Sequence, residues 1–169
     1  MRKKLEVENY EKIKEKIQLI TDPRDKALCS LLYATGGRIN EVLKIKKTNI
    51  FLKEGYMLIN LFTEKNPLHP KRIVPIPAEK ENWLVEPILT YLNFCSETLF
   101  NFTDRSARKI THKWFSCHPH HLRHCRITHL FSVYNANPER VRLLMGWADE
   151  RPIKVYSHLI WQDTKKIFE

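Results

Sequence analysis

Two hydrophobic periods alternate along the 169 residues. In 8–20, Tyr10, Ile13, Ile17 and Ile20 recur every three to four positions among charged residues, and this spacing predicts an amphipathic helix. Asp22 suits an N-cap, Pro23 the first helical position and Asp25 the positive end of the helix dipole. A second helix is therefore expected over 23–35, burying Ala27, Leu28, Leu31 and Leu32 and stopped by Gly36-Gly37. A short helix over 39–45 turns Val42, Leu43 and Ile45 inward. In 49–63 and 71–76 the period falls to two: Met57, Ile59 and Leu61 alternate with Leu58, Asn60 and Phe62, and Arg72-Ile73-Val74-Pro75-Ile76 answers them. With a turn at Lys53-Glu54-Gly55, this predicts a small antiparallel sheet. Its hairpin tip, residues 63–71, carries Lys65, Lys71 and two prolines.

The helical period then returns. A helix is expected from about Ala78 to Leu99, with Trp83, Leu84, Ile88, Tyr91, Leu92 and Cys95 as its core stripe. Basic residues 105–114 follow as a further helix, then 119–134, with Leu122, Ile127, Leu130, Phe131 and Tyr134 buried. Asn137-Pro138-Glu139 opens the next helix and Gly146 closes it; a short helical turn over 149–158 carries Tyr156. The fold class expected is mainly α with a small antiparallel β-sheet, one domain over 1–158 and an amphipathic tail over 159–169.

Composition narrows the partner. The 29 basic and 19 acidic residues leave a formal charge of +10, which favours a polyanion: nucleic acid before an anionic membrane. No apolar run nears the roughly 20 residues of a membrane span, and no basic amphipathic helix has a Trp/Phe/Leu face. Met1 to Lys4 is basic but no apolar signal core follows. The four cysteines lack disulfide-framework spacing, so reduced thiols in an intracellular protein are expected.

Candidate chemistry concentrates at His120-His121-Leu122-Arg123-His124. If Pro119 opens a helix, His120 and Arg123 share a face, and both can reach one phosphate. Zinc is a rival, since Cys117, His120, His121, His124 and Cys125 are soft ligands; but a structural site uses separated ligand pairs, and these five form one run. Cys117 as a nucleophile lacks any sign of an activated thiol. Gly36-Gly37 fits neither a Walker loop nor a dinucleotide fingerprint. Arg38 sits at the break between helices, where Glu41 can hold its guanidinium by a charge-assisted hydrogen bond.

Taken in order, Arg38-x-x-Glu41 after Thr35-Gly36-Gly37, a hairpin Lys65, His120-x-Leu122-Arg123, Gly146-Trp147 and Tyr156-x-His158 resemble the catalytic domain of tyrosine recombinases, the phage-integrase family. His124 matches the histidine that often follows the family's H-x-L-R motif. Trp147 stands where most members carry a second histidine and some carry tryptophan. The resemblance implies Arg38, Lys65, His120, Arg123, Trp147 and Tyr156 as catalytic residues, supported by Glu41 and His124, with Lys71 as the other candidate for the hairpin lysine. It further implies double-stranded DNA as partner, a tetramer on DNA, no metal or nucleotide cofactor, and an additional N-terminal DNA-clamping domain that this chain is expected to lack. Archaeal viruses and plasmids are the expected source. Two forked guanidinium groups suit the charge that builds on a phosphodiester under in-line attack. Tyr156 would attack, His120 accept or relay its proton, Lys65 protonate the leaving 5′-oxygen, and Trp147 donate its indole N–H and pack the site. A type IB topoisomerase-like enzyme and a non-catalytic DNA-binding protein of the same fold remain alternatives.

Overall fold

The computed structural model describes residues 6–159. Helices α1 (Tyr10–Leu19), α2 (Pro23–Thr35) and α3 (Ile39–Leu43) precede strands β1 (Ile50–Lys53), β2 (Tyr56–Phe62) and β3 (Lys71–Pro77). Helices α4 (Asn82–Leu92), α5 (Asp104–Phe115), α6 (Pro119–Ser132) and α7 (Pro138–Met145) follow, then a 3-10 segment, Arg151–Tyr156. The fold is mainly helical with one three-stranded antiparallel sheet, as the two hydrophobic periods require. The segment expected as a tail, 159–169, lies outside the described residues beyond Leu159.

Helix α2 is the centre. Asp22 caps it through the amides of Arg24 and Asp25, and Gly36 ends it in the left-handed conformation at φ 59°. It packs against α1, α3, α4, α5, α6 and β3. Ala27, Leu28, Leu31 and Leu32 are buried as expected, and so are Cys29, Tyr33 and Ala34, because neighbours surround the helix.

Strand order is β1-β2-β3, with Ile59 opposite both Ile50 and Val74. Met57, Ile59, Leu61, Val74 and Ile76 point into the core, and Arg72 shares their face, opposite Leu61.

Helix α4 is shorter than the expected 78–99. Ala78 donates its N–H to the Gly55 carbonyl and so extends the sheet, and Thr98 bridges back to Lys46. Cys95 therefore lies outside the helix, and of its expected stripe only Trp83, Leu84 and Ile88 are buried.

One buried network fastens α6 to α4 and α1. Arg126 donates both terminal nitrogens to Glu81, at 2.7 Å each, and Tyr10 adds a third hydrogen bond to the same carboxylate. His129 links Tyr33 to the Glu8 carbonyl. Nε2–H is given to the carbonyl at 2.7 Å, and in the neutral imidazole Nδ1 then accepts from the phenol at 2.7 Å. Burial lowers this histidine's pKa in the same sense.

Candidate active site

Helix α6 opens as expected. His118 is its N-cap residue and Pro119 its first position, so His120, Arg123 and His124 project from successive turns of one face. Arg123 is 3% exposed. It donates to the Gly36 carbonyl at 2.6 Å and to the Met145 carbonyl at 3.4 Å, the C-terminal ends of α2 and α7. Both acceptors lie where helical carbonyls need partners outside the helix.

Arg38 caps α3 in extended conformation, half-buried beside the hairpin. Its guanidinium contacts the Glu64 carbonyl at 3.4 Å and lies 3.6 Å from Glu41. The main partner of Glu41 is a different arginine. Arg72 grips it bidentately at 3.0 and 3.1 Å, while the amides of Arg38 and Glu64 each donate to it at 2.8 Å. Burial by itself raises the Glu41 carboxyl, but Arg72 and these amides outweigh it and hold it below the usual carboxylate range.

Arg38, Lys65 and His120 line one groove of about 310 Å³, together with Ile39, Glu64, Arg108 and His118. Lys65 is exposed in the left-handed region at φ 60°. Lys71 instead lies at the start of β3 with its ammonium 5.5 Å from the Phe62 ring centre. His120 is exposed by area yet walls this groove. Reduced solvation there, then the charges of His124, Arg123, His118 and Arg38, hold its imidazole down at about 4. Burial also lowers Arg123, to about 10, with Arg38 the next cause; it stays cationic at neutral pH.

Gly146 closes α7 at φ 69°, and Trp147 follows with its ring beneath Arg123, 5.8 Å from the guanidinium carbon. The Tyr156 ring lies 6.4 Å from that of Trp147 at 23° and 6.0 Å from Phe131. Burial pushes its phenol up to about 12, with Arg123 pulling the other way. The hydroxyl has a partner other than the one expected: His124 Nδ1, at 2.5 Å, not His120. His120 stands behind, its ring centroid 4.8 Å from that of His124.

The structure therefore brings Arg38, Lys65 and His120 to one groove with Glu41 beside Arg38, and behind it stacks Trp147 on Arg123 and Tyr156 on Trp147, with His124 on the phenol. Sequence reading missed Arg72. A period-two signal could have found it, since Arg72 has the parity of Val74 and Ile76, and an arginine on a buried strand face needs a partner. Among the described residues no group of three or more His, Cys, Asp or Glu could hold a metal ion, and no helix is long and apolar enough to cross a membrane.

The same arrangement of elements occurs in known proteins. Tyrosine recombinase XerD of Haemophilus ducreyi is 28% identical over 165 residues, covering 85% of this chain and 53% of the relative. The chain thus spans about half the length of this curated relative. Among solved structures, the XerH site-specific recombinase bound to its difH substrate in a pre-cleavage complex superposes with a TM-score of 0.73 at 22% identity, covering 98% of this chain and 54% of that one. The catalytic domain of bacteriophage HP1 integrase gives 0.65 at 18% identity, covering 92% and 89%. These structural likenesses establish the fold. A family model matches residues 3–162, nearly the whole chain, and on that match the protein belongs to the phage integrase family.

Proposed function

We propose that this chain is the catalytic part of a site-specific DNA recombinase that cuts and rejoins strands through a 3′-phosphotyrosyl intermediate. The observation that carries the reading is a groove lined by Arg38, Lys65 and His120, with Arg123 one helical turn beyond His120 and packed over Trp147, and the Tyr156 phenol against Trp147 and His124. A backbone phosphate entering that groove meets the Arg38 guanidinium, and Arg123, one turn along α6 from His120, is the second forked donor proposed for its non-bridging oxygens. A preorganised donor of this kind is typically worth about 2.7–4 kcal/mol in the transition state.

In the cleavage step, the Tyr156 oxygen forms a bond to phosphorus as the bond to the 5′-oxygen breaks. The phenol proton passes to His124, with His120, uncharged at neutral pH, next in line. Lys65 gives its proton to the departing 5′-oxygen, leaving a free 5′-hydroxyl. Trp147 holds Arg123 and Tyr156 in register from below. Attack of another 5′-hydroxyl on the phosphotyrosine reverses the step and reseals the strand. The XerH relative is solved on its DNA substrate, which supports duplex DNA as the partner here. A tetramer on DNA is the assembly proposed from the family likeness.

The test is a pool of nicked duplexes with a randomised core, incubated with the protein in chelator and run on a denaturing gel. A covalent band is expected that disappears in Tyr156→Phe while DNA binding persists, and the adduct yields the target sequence. An adduct that survives Tyr156→Phe, or one that needs added zinc or magnesium, overturns the mechanism. Salt-sensitive binding with no adduct makes the chain a DNA-binding protein that keeps the fold.

A further inference from the structure

The hairpin carrying Lys65 is tied to the rest of the site through Arg72, a buried side chain with no part in the steps above. Its Nη1 donates to Glu41 Oε2 at 3.1 Å and to Thr63 Oγ1 at 3.0 Å, its Nη2 to Glu41 Oε1 at 3.0 Å, and its Nε to the Leu144 carbonyl at 2.9 Å. All three nitrogens are used, and each acceptor belongs to a part that must stay in register: the Arg38 helix, the hairpin and α7. Glu41 extends the clamp by holding the backbone amides of Arg38 and Glu64. On the other side of Lys65, Asn66 donates its side-chain amide to the Gly146 carbonyl at 3.2 Å. Lys65 thus stands in an unfavourable backbone conformation, φ 60°, between two fastened neighbours, and what fastens them sets where its side chain points.

We propose that Arg72 is a positioning residue for strand cleavage, clamping Glu41 and Thr63 so that Lys65 reaches the leaving 5′-oxygen. This rests on the cleavage reaction proposed above. A lysine at 72 supplies charge but only a point contact, and cannot bridge a carboxylate, a hydroxyl and a carbonyl at once. Arg72 touches neither DNA nor the reacting atoms in this scheme; its effect passes through Lys65. A displacement of about 1 Å at a reacting group can cost 100-fold in rate.

The experiment compares adduct formation by wild type, Arg72→Lys and Thr63→Val on the substrate recovered from the adduct, made with either the ordinary 5′-oxygen or a bridging 5′-sulfur at the scissile position. A thiolate leaves without a proton, so sulfur bypasses Lys65. The expectation is that Arg72→Lys slows the oxygen substrate at least about tenfold, that sulfur restores most of the loss, and that Thr63→Val shows a smaller loss with the same rescue. Equal slowing on both substrates would mean general loosening and overturns the proposal, as does no slowing in a folded protein. Lys65→Ala is the benchmark: if sulfur fails to rescue it, or if wild type gives no adduct, the cleavage reading has failed instead. Hydrogen exchange then decides the positioning claim without DNA. Exchange at the Arg38 and Glu64 amides should quicken at least about tenfold in Arg72→Lys, and unchanged protection there refutes it. Should Arg72→Lys fail to fold, both measurements fall to Thr63→Val, which keeps the shape of the residue and removes one acceptor.

Discussion

Glu81→Gln makes a sharp test of what holds α6, the helix of His120 and Arg123, in place. The substitution keeps the side chain's shape and removes its charge. Arg126 would be left 3% exposed with no carboxylate opposite, and its Nε already has no hydrogen-bond partner. Breaking a buried pair from one side typically costs about 3–5 kcal/mol, because the orphaned charge remains desolvated. For a chain of this size each kcal/mol moves Tm by about 2–4 °C, so the midpoint should fall by about 6–20 °C in calorimetry. Replacing both partners, as Glu81→Met with Arg126→Met, removes the orphaned charge and should recover most of the loss. The acid limb gives a second reading. Burial raises the Glu81 carboxyl, but Arg126, together with the hydroxyls of Tyr134 and Tyr10, outweighs it, so the folded-state pKa lies below the ordinary value. Its contribution is therefore present above the unfolded pKa and lost as pH falls through the folded one. That part of the acid destabilisation should be missing in Glu81→Gln. A loss below about 1 kcal/mol, the worth of an exposed pair, or a double variant no better than the single, would refute the reasoning.

Three further outcomes follow from the geometry. Gly146→Ala puts a Cβ 2.6 Å from Thr63 Cγ2 at φ 69°; left-handed strain of about 1–2 kcal/mol and overpacking of about 1–3 kcal/mol should together lower denaturant stability by about 2–5 kcal/mol, and an unchanged midpoint would contradict the packing of the hairpin on α7. Burial raises the thiols of Cys29, Cys117 (to about 12) and Cys125 (to about 11), so in the native protein a thiol reagent at mild pH should label half-buried Cys95 first, with the other three reacting only on denaturation. The ring-proton NMR signal of His120 should titrate near 4, so that this imidazole is neutral at pH 7 and gains charge only in acid; a midpoint above about 6, near the ordinary value, would show that the groove does not desolvate it.

Much of this protein was legible from local signals. Asp22-Pro23, Asn137-Pro138 and the glycines at 36 and 146 mark helix ends because caps act over three or four residues, and those ends appear where expected. The change from period 3.6 to period 2 located the sheet for the same reason: the pattern is written in adjacent positions. The order of the Arg38, His120-x-x-Arg123 and Tyr156 motifs pointed to the family, whose model matches residues 3–162. Only the tertiary structure decided the partners. Glu41 belongs mainly to Arg72, 31 residues on, and Glu81 to Arg126, 45 residues on. The Tyr156 phenol pairs with His124 rather than His120, and α4 ends early because its expected flanks are drawn into the sheet and a bridge to Lys46. A chain's local pattern says which face of an element is buried. Which buried charge meets which is set by how distant faces close on one another, where an unpaired ion is too costly to leave.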